Sequence, residues 1–130
     1  MAGPAVRVSV IVVNWNRRLL LEACLDSLAQ PQGVAFEAVV VDNGSSDGSV
    51  EFVERYAAAA TYPIRLIRNP DNRGFCAANN QGIAAARGEF VALLNNDAEA
   101  HPGWLSSLLE AFADPRVGMA ASKVLVHEDP

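Results

Sequence analysis

The chain has 130 residues, of which 51% are hydrophobic and 19% charged, and a formal net charge of −5. This size suits one domain that buries roughly two-thirds of its unfolded surface, and the composition excludes a disordered chain. The acidic balance argues against nucleic acid or an anionic membrane as the main partner, while local basic residues can still meet a phosphate.

Two cysteines, Cys24 and Cys76, stand outside any Cys-x-x-Cys or Cys/His cluster, so no zinc site is expected. Cys24 falls in a helical apolar pattern and is assigned to the core; a disulfide stays open. Residues 1–6 carry no basic stretch leading into a long apolar one, so no signal peptide is expected. No apolar run approaches the ~20 residues that span a bilayer. The expected setting is soluble, reduced and cytoplasmic, with the inner face of the membrane as the alternative.

Residues 7–13 are rich in valine and isoleucine and read as a first buried strand, ended by Asn14-Trp15-Asn16. Leu21, Leu25 and Leu28 recur at helical spacing, which predicts a helix over 17–30, stopped by Pro31, Gln32 and Gly33. Residues 36–41 form a second strand ending in Asp42. The run Asn43-Gly-Ser-Ser-Asp-Gly48 is a dense turn signal in which Ser46 or Asp47 can cap the following helix. Val50, Val53 and Ala57 mark that helix's buried face. Residues 64–67 read as a short third strand and Asn69-Pro-Asp-Asn72 as a loop. Phe75, Ala78, Gly82 and Ile83 share one face of a small-residue helix ending near Arg87-Gly88. Residues 89–94 are a fourth strand. Pro102 suits a first turn, and Leu105, Leu108, Leu109 and Phe112 give an amphipathic helix ended by Asp114-Pro115. Residues 117–126 are read as containing at least one more strand.

The order βαβαβαβαβ implies a mostly parallel sheet, right-handed crossovers and helices on both faces. Topology then brings Asn14, Asp42 and the stretch Asn95-Asn96-Asp97 to one edge, the carboxyl edge, where open α/β folds bind ligands. A nucleotide is the ligand such a crevice most often serves. Asp42 can accept a hydrogen bond from a base imide or a ribose hydroxyl; it can equally be a turn acid bonding the backbone of Gly44 or Ser45. Asp97 offers hard oxygen for Mg²⁺ or Mn²⁺ on a diphosphate, and the Asn95 amide can bond a ribose hydroxyl; the alternative is that Asn96 and Asp97 form a turn and cap the next helix. Arg73, opening the third helix, can face a phosphate or solvent. Asn79 and Asn80 are unusual on so small-residued a helix and call for a partner, backbone or ligand. Trp15 can stack on a ring or join the core, and Trp104 and Phe112 are assigned to the core. His101 and His127 are unclustered, and no histidine is assigned to catalysis.

Together these stretches resemble the family 2 glycosyltransferases, which have the GT-A fold. The segments that carry the likeness are Val8-Ser-Val-Ile-Val-Val-Asn14-Trp-Asn16 and Val39-Val-Val-Asp42-Asn-Gly-Ser-Ser-Asp47-Gly48, followed by Asn69-Pro-Asp-Asn-Arg-Gly-Phe75 with Ala78-Asn-Asn-Gln-Gly82. Leu93-Leu-Asn-Asn-Asp97 and Pro102-Gly-Trp-Leu105 complete the set. The resemblance implies an enzyme of polysaccharide biosynthesis that moves a sugar from a nucleotide diphosphate to an acceptor hydroxyl, saccharide or lipid-linked, with inversion. It implies that Asn14 meets the nucleoside, Asp42 the base and Asn95 the ribose, within Asn95-Asn96-Asp97 at the family's Asp-X-Asp position. It places the Mg²⁺ or Mn²⁺ on Asp97. The Asn-Arg-Gly-Phe stretch is most similar to the rhamnosyltransferase-like branch, which often uses dTDP- or UDP-sugars, with Arg73 and Asn79 near nucleotide or sugar.

Two departures stand out. Asn95 replaces the first acid of Asp-X-Asp, and no residue is assigned as general base, a carboxylate that family members carry further along. The expectation for 1–130 is a single nucleotide-sugar-binding domain, the N-terminal part of a longer enzyme, or a form that binds without turnover. A Rossmann-type dinucleotide module is disfavoured, because Asn14-Trp15-Asn16-Arg17-Arg18 lacks the glycines that let a pyrophosphate reach the backbone. A non-catalytic binding or assembly domain, including a homodimer through an uncovered sheet edge, remains the other alternative.

Overall fold

The computed structural model describes residues 5–126. Its elements alternate: β1 (Val8–Asn14), α1 (Arg18–Leu28), β2 (Phe36–Asp42), α2 (Ser49–Ala59), β3 (Ile64–Arg68), α3 (Phe75–Ala85), β4 (Phe90–Leu93) and α4 (Trp104–Glu110), with a 3-10 turn at Ala111–Ala113. The four strands form one parallel sheet in the order β3-β2-β1-β4. β1 and β2 are central and covered on both sides, which is why they are apolar at nearly every position rather than at every second one.

The two faces are built differently. Val8, Val10, Val12, Ala38 and Val40 point to the side where Leu21, Leu25 and Leu28 of α1, Phe52 and Val53 of α2 and Leu105 of α4 pack. Each such fully buried aliphatic side chain contributes roughly 1.5–3 kcal/mol. Ile11, Val39 and Val41 point the other way, against Ala78 of α3. That helix lies very close to the sheet: a Cβ on Gly82 would stand 2.4 Å from Ile11 Cγ2. Its small residues are therefore a packing requirement. Gly44 has the same origin. It sits at φ +78°, and a Cβ there would meet the Asp71 backbone at 2.8 Å, so the loops after β2 and β3 touch only because this residue has no side chain.

Several expectations are corrected. Residues 117–126 form no strand; Met119, Val124 and Val126 are 91%, 90% and 88% exposed. Valine favours a strand when a neighbouring strand and a buried face receive it, and neither meets this segment. His127 lies outside the described residues. On α3, Phe75 and Ile83 are exposed and Asn79 takes the buried position instead. Trp15 is 50% exposed and does not belong to the core. Trp104 does pack against the main core, and Phe112 stacks on Phe90 at 4.9 Å between ring centroids. Cys24 is buried and Cys76 exposed, and both are free thiols. Among the described residues, no helix is long and apolar enough to cross a membrane.

Candidate functional site

The carboxyl ends of the strands are joined by polar side chains before any ligand is considered. Asn14 and Asp42 close β1 and β2 side by side. Asp42, 1% exposed, accepts hydrogen bonds from Asn14 Nδ2 at 3.1 Å, from the Ser45 amide at 2.9 Å and from Ser45 Oγ at 2.7 Å. Ser45 Oγ accepts from the Asn16 amide at 2.9 Å, and Asn16 Oδ1 accepts from the Ser46 amide at 2.8 Å. Asn16 adopts φ 51° to do so, a left-handed conformation that asparagine tolerates. The loops after β1 and β2 are thus closed onto each other through Asp42. Its carboxylate serves this turn, and the residue that lines the crevice at the end of β2 is the next one, Asn43.

Asn95, Asn96 and Asp97 follow β4. Asn96 Nδ2 donates to Asn14 Oδ1 at 3.0 Å, which extends the polar row to Asn96–Asn14–Asp42. The Ala98 amide bonds the Asn95 carbonyl at 3.0 Å, so Asn96 and Asp97 occupy the centre of a tight turn. They do not cap α4, which starts at Trp104. The turn leaves Asp97 exposed. Beneath it, Cys24 Sγ lies 3.5 Å from the Asn95 carbonyl. Burial first, and then the charges of Asp97 and Glu99, push that thiol up to about 12, so it is an inert buried group rather than a nucleophile.

An open crevice of about 340 Å³ results, within the size range of small-molecule sites. Val13, Trp15 and Arg17 line it from the end of β1, Asn43 from the end of β2, Asn72 and Phe75 from the approach to α3, and Asn95, Asn96 and Asp97 from the turn after β4. A larger depression runs along Trp15 to Leu20 and takes in Asp47; its polar groups, Asn16, Arg17 and Arg18, follow one strand alone, and the Asp47 carboxylate is held by the Arg18 and Ser49 amides. We take the smaller crevice as the site because three strand ends supply it.

Of the sequence candidates, Asn95, Asn96 and Asp97 line this crevice. Asn14 and Asp42 stand behind it, buried. Arg73 and Asn79 are not brought to it: Arg73 Nε lies 3.7 Å from Asp71 Oδ1, and Asn79 Nδ2 donates to the Phe75 carbonyl one turn back at 3.1 Å. The expected partner of Asn79 is therefore backbone. Arg17, Asn43, Asn72 and Phe75 line the crevice without having been singled out. Asn43 adjoins the Asp42 candidate, and Arg17 directly follows the polar end of β1; both positions were signals in themselves.

Among the described residues, no group of three or more His, Cys, Asp or Glu side chains could hold a metal ion. The donor set at the crevice is one carboxylate, Asp97, beside the amides of Asn95 and Asn96. That is too little for a self-contained metal centre. It does fit Mg²⁺ or Mn²⁺ whose other ligands are diphosphate oxygens and water, the usual pattern for the harder divalent ions.

Known proteins resemble this chain in sequence and fold. The glycosyl transferase family 2 model matches residues 9–130. The chain is 33% identical over 114 residues to the putative glycosyltransferase EpsH of Bacillus subtilis, covering 88% of this chain and 32% of EpsH. A solved mannosyltransferase of Pyrobaculum calidifontis, in complex with GDP-Man and Mn²⁺, superposes with a TM-score of 0.78 at 34% identity, over 86% of this chain and 34% of that one. TarS of S. aureus, in complex with UDP, superposes with a TM-score of 0.71 at 31% identity, over 84% of this chain and 32% of that one. The chain spans about a third of the length of the curated relatives it matches. With the family's model matched over almost all of its length, and with a parallel α/β sheet shared with GT-A structures, this chain belongs to glycosyl transferase family 2.

Proposed function

We propose that this chain is the donor-binding domain of an inverting glycosyltransferase that uses a UDP- or dTDP-sugar. The observation that carries the reading is the meeting of Asn43, Asn95, Asn96 and Asp97 with an exposed tryptophan at one sheet edge. Trp15 offers a face on which a base stacks, and such stacking is worth about 1–3 kcal/mol in nucleic-acid sites. Asn43 bonds the base edge, and Asn95 bonds the ribose. Arg17 adds positive charge for the diphosphate. Asp97 holds a divalent cation, which supplies charge to the departing diphosphate.

In the transfer, an acceptor hydroxyl attacks the anomeric carbon from the face opposite the diphosphate, the sugar–phosphate bond breaks, and the acceptor's proton passes to a base. Asp97 is the one carboxylate of the crevice lining, and a metal-bound carboxylate cannot also serve as that base. In this reading the crevice lining serves donor binding and leaves acceptor deprotonation to a group outside it. This same observation favours a second reading, a domain that binds the donor without turning it over. The acceptor in the first reading is a saccharide or lipid-linked hydroxyl.

Calorimetric titration of UDP, dTDP, GDP and NAD, with and without Mn²⁺, tests the proposal. Metal-dependent binding of UDP or dTDP, lost in Asp97→Ala, supports it; preferential NAD binding, or no nucleotide binding at all, sinks it. Slow hydrolysis of a UDP- or dTDP-sugar separates an active domain from a binder.

A further inference from the structure

A relay of side-chain amides runs behind the crevice. Asn43 Nδ2 donates to the Gly74 carbonyl at 3.2 Å. Asn69 Nδ2 donates to Asn43 Oδ1 at 2.9 Å and to Gln81 Oε1 at 2.7 Å. Gln81 Nε2 returns a bond to Asn69 Oδ1 at 2.8 Å. Asn43 and Asn69 are 2% and 6% exposed. The relay therefore lies where a mispaired polar atom is costly.

Its direction follows from one atom. A backbone carbonyl only accepts, so Gly74 requires the Nδ2 end of Asn43. That turns Asn43 Oδ1 toward Asn69, which must answer with an N–H. The second N–H of Asn69 then meets Gln81 Oε1. Flipping any one amide would set like atoms against each other. Backbone bonds fix the same residues in place: the Asn43 amide donates to the Asn14 carbonyl at 2.9 Å, and the Asn69 amide to the Asp42 carbonyl at 2.8 Å. Of these three amides, only Asn43 lines the crevice. The relay uses one Nδ2 hydrogen and one Oδ1 lone pair of Asn43, which leaves this amide one donor and one acceptor.

We infer that Asn69 and Gln81 are positioning residues for donor recognition: they hold the Asn43 amide in one place and one polarity, so that it meets the hydrogen-bonding edge of the nucleotide's base in a set orientation. The inference rests on the donor-binding reading above. It also accounts for the amides at 69 and 81, which stand outside the crevice and touch no substrate.

The test uses two neutral variants, Asn69→Leu and Gln81→Met, with Mn²⁺-UDP binding read by calorimetry and Mn²⁺-pyrophosphate, which lacks the base, read by competition against it. Gln81 is partly exposed, so its variant stays available if Asn69→Leu does not fold. The expected result is UDP affinity about tenfold weaker in Asn69→Leu, the loss of about one hydrogen bond, a smaller loss in Gln81→Met, and pyrophosphate affinity unchanged in both. Unchanged UDP affinity in the folded variants overturns the inference. So does an equal fall for both ligands, which would make the relay a fold element only. A wild-type chain that binds no UDP overturns the donor reading itself, and this inference with it.

Discussion

The two ends of the sheet are held by different chemistry. At the amino end, Glu37, with a side chain 2% exposed, pairs with Arg65 Nε at 2.8 Å. It also accepts from Ser9 Oγ at 2.6 Å and from the Arg87 amide at 3.0 Å, while Ser9 Oγ accepts from the Gly88 amide at 2.9 Å. Arg65 continues to the Ala85 carbonyl at 2.6 Å. These bonds tie three strands to the end of α3, and every oxygen of the cluster has a partner. At the carboxyl end the fastenings are amides and one turn carboxylate, and Asp97 is left exposed. A charged cluster that is fully satisfied has nothing left to offer a ligand. An amide network that ends in open groups does. Stability should therefore be concentrated at one edge and binding at the other.

The largest stability effect belongs to the amino end. Arg65→Ala leaves a buried carboxylate without its counter-charge and should cost about 3 kcal/mol, seen as a lower urea midpoint. UDP affinity should not change at temperatures where the variant is folded. A weaker UDP affinity there would show that the two ends are coupled. Gly44→Ala should come next, at about 2 kcal/mol, because the new Cβ meets the Asp71 backbone. Since that loop leads to Asn72 and Phe75, this variant should also weaken UDP.

Acid sharpens the same contrast. Burial works to raise the Glu37 carboxyl, but hydrogen bonds from Arg65, Ser9 and the Arg87 amide outweigh it and hold the group below its ordinary value of 4.5. A carboxyl lowered on folding stabilises the protein above its unfolded value, and that contribution is lost as pH falls through the folded value. Urea midpoints should therefore decline below about pH 4.5, and Glu37→Gln should flatten the decline. The smallest stability effect is expected for Asp97→Ala, within about 0.5 kcal/mol, because the residue is exposed. Its metal-dependent UDP binding should nevertheless disappear. The ranking by stability and the ranking by binding are thus opposed.

The alternation of strands and helices was legible because β1 and β2 are central and almost wholly apolar, while α1 and α4 carry leucines at helical spacing. Residues 117–126 misled because β-branched composition reports readiness to pair, not the presence of a partner. At the crevice, the alternation of strands and helices was enough to bring Asn95, Asn96 and Asp97 to the carboxyl edge, where the structure has them. The difference between Asp42 and Asn43 was not legible. Adjacent residues at a strand end point to opposite sides, and only the Ser45 bonds show which one closes the turn. The partners of Arg73 and Asn79 were not legible for a similar reason: sequence shows that they neighbour the strand ends, but not that Asp71 and the Phe75 carbonyl lie beside them.

The division between the two edges is tested most directly by mapping UDP, with Mg²⁺, onto the backbone and side-chain amide resonances of the ¹⁵N-labelled chain. The predicted shifts fall on the Trp15 indole, Asn43, Asn95, Asn96 and Asp97, and leave Ser9, Glu37 and Arg87 unmoved. Shifts centred on the Glu37–Arg65 end, or no shift at saturating UDP, would contradict it.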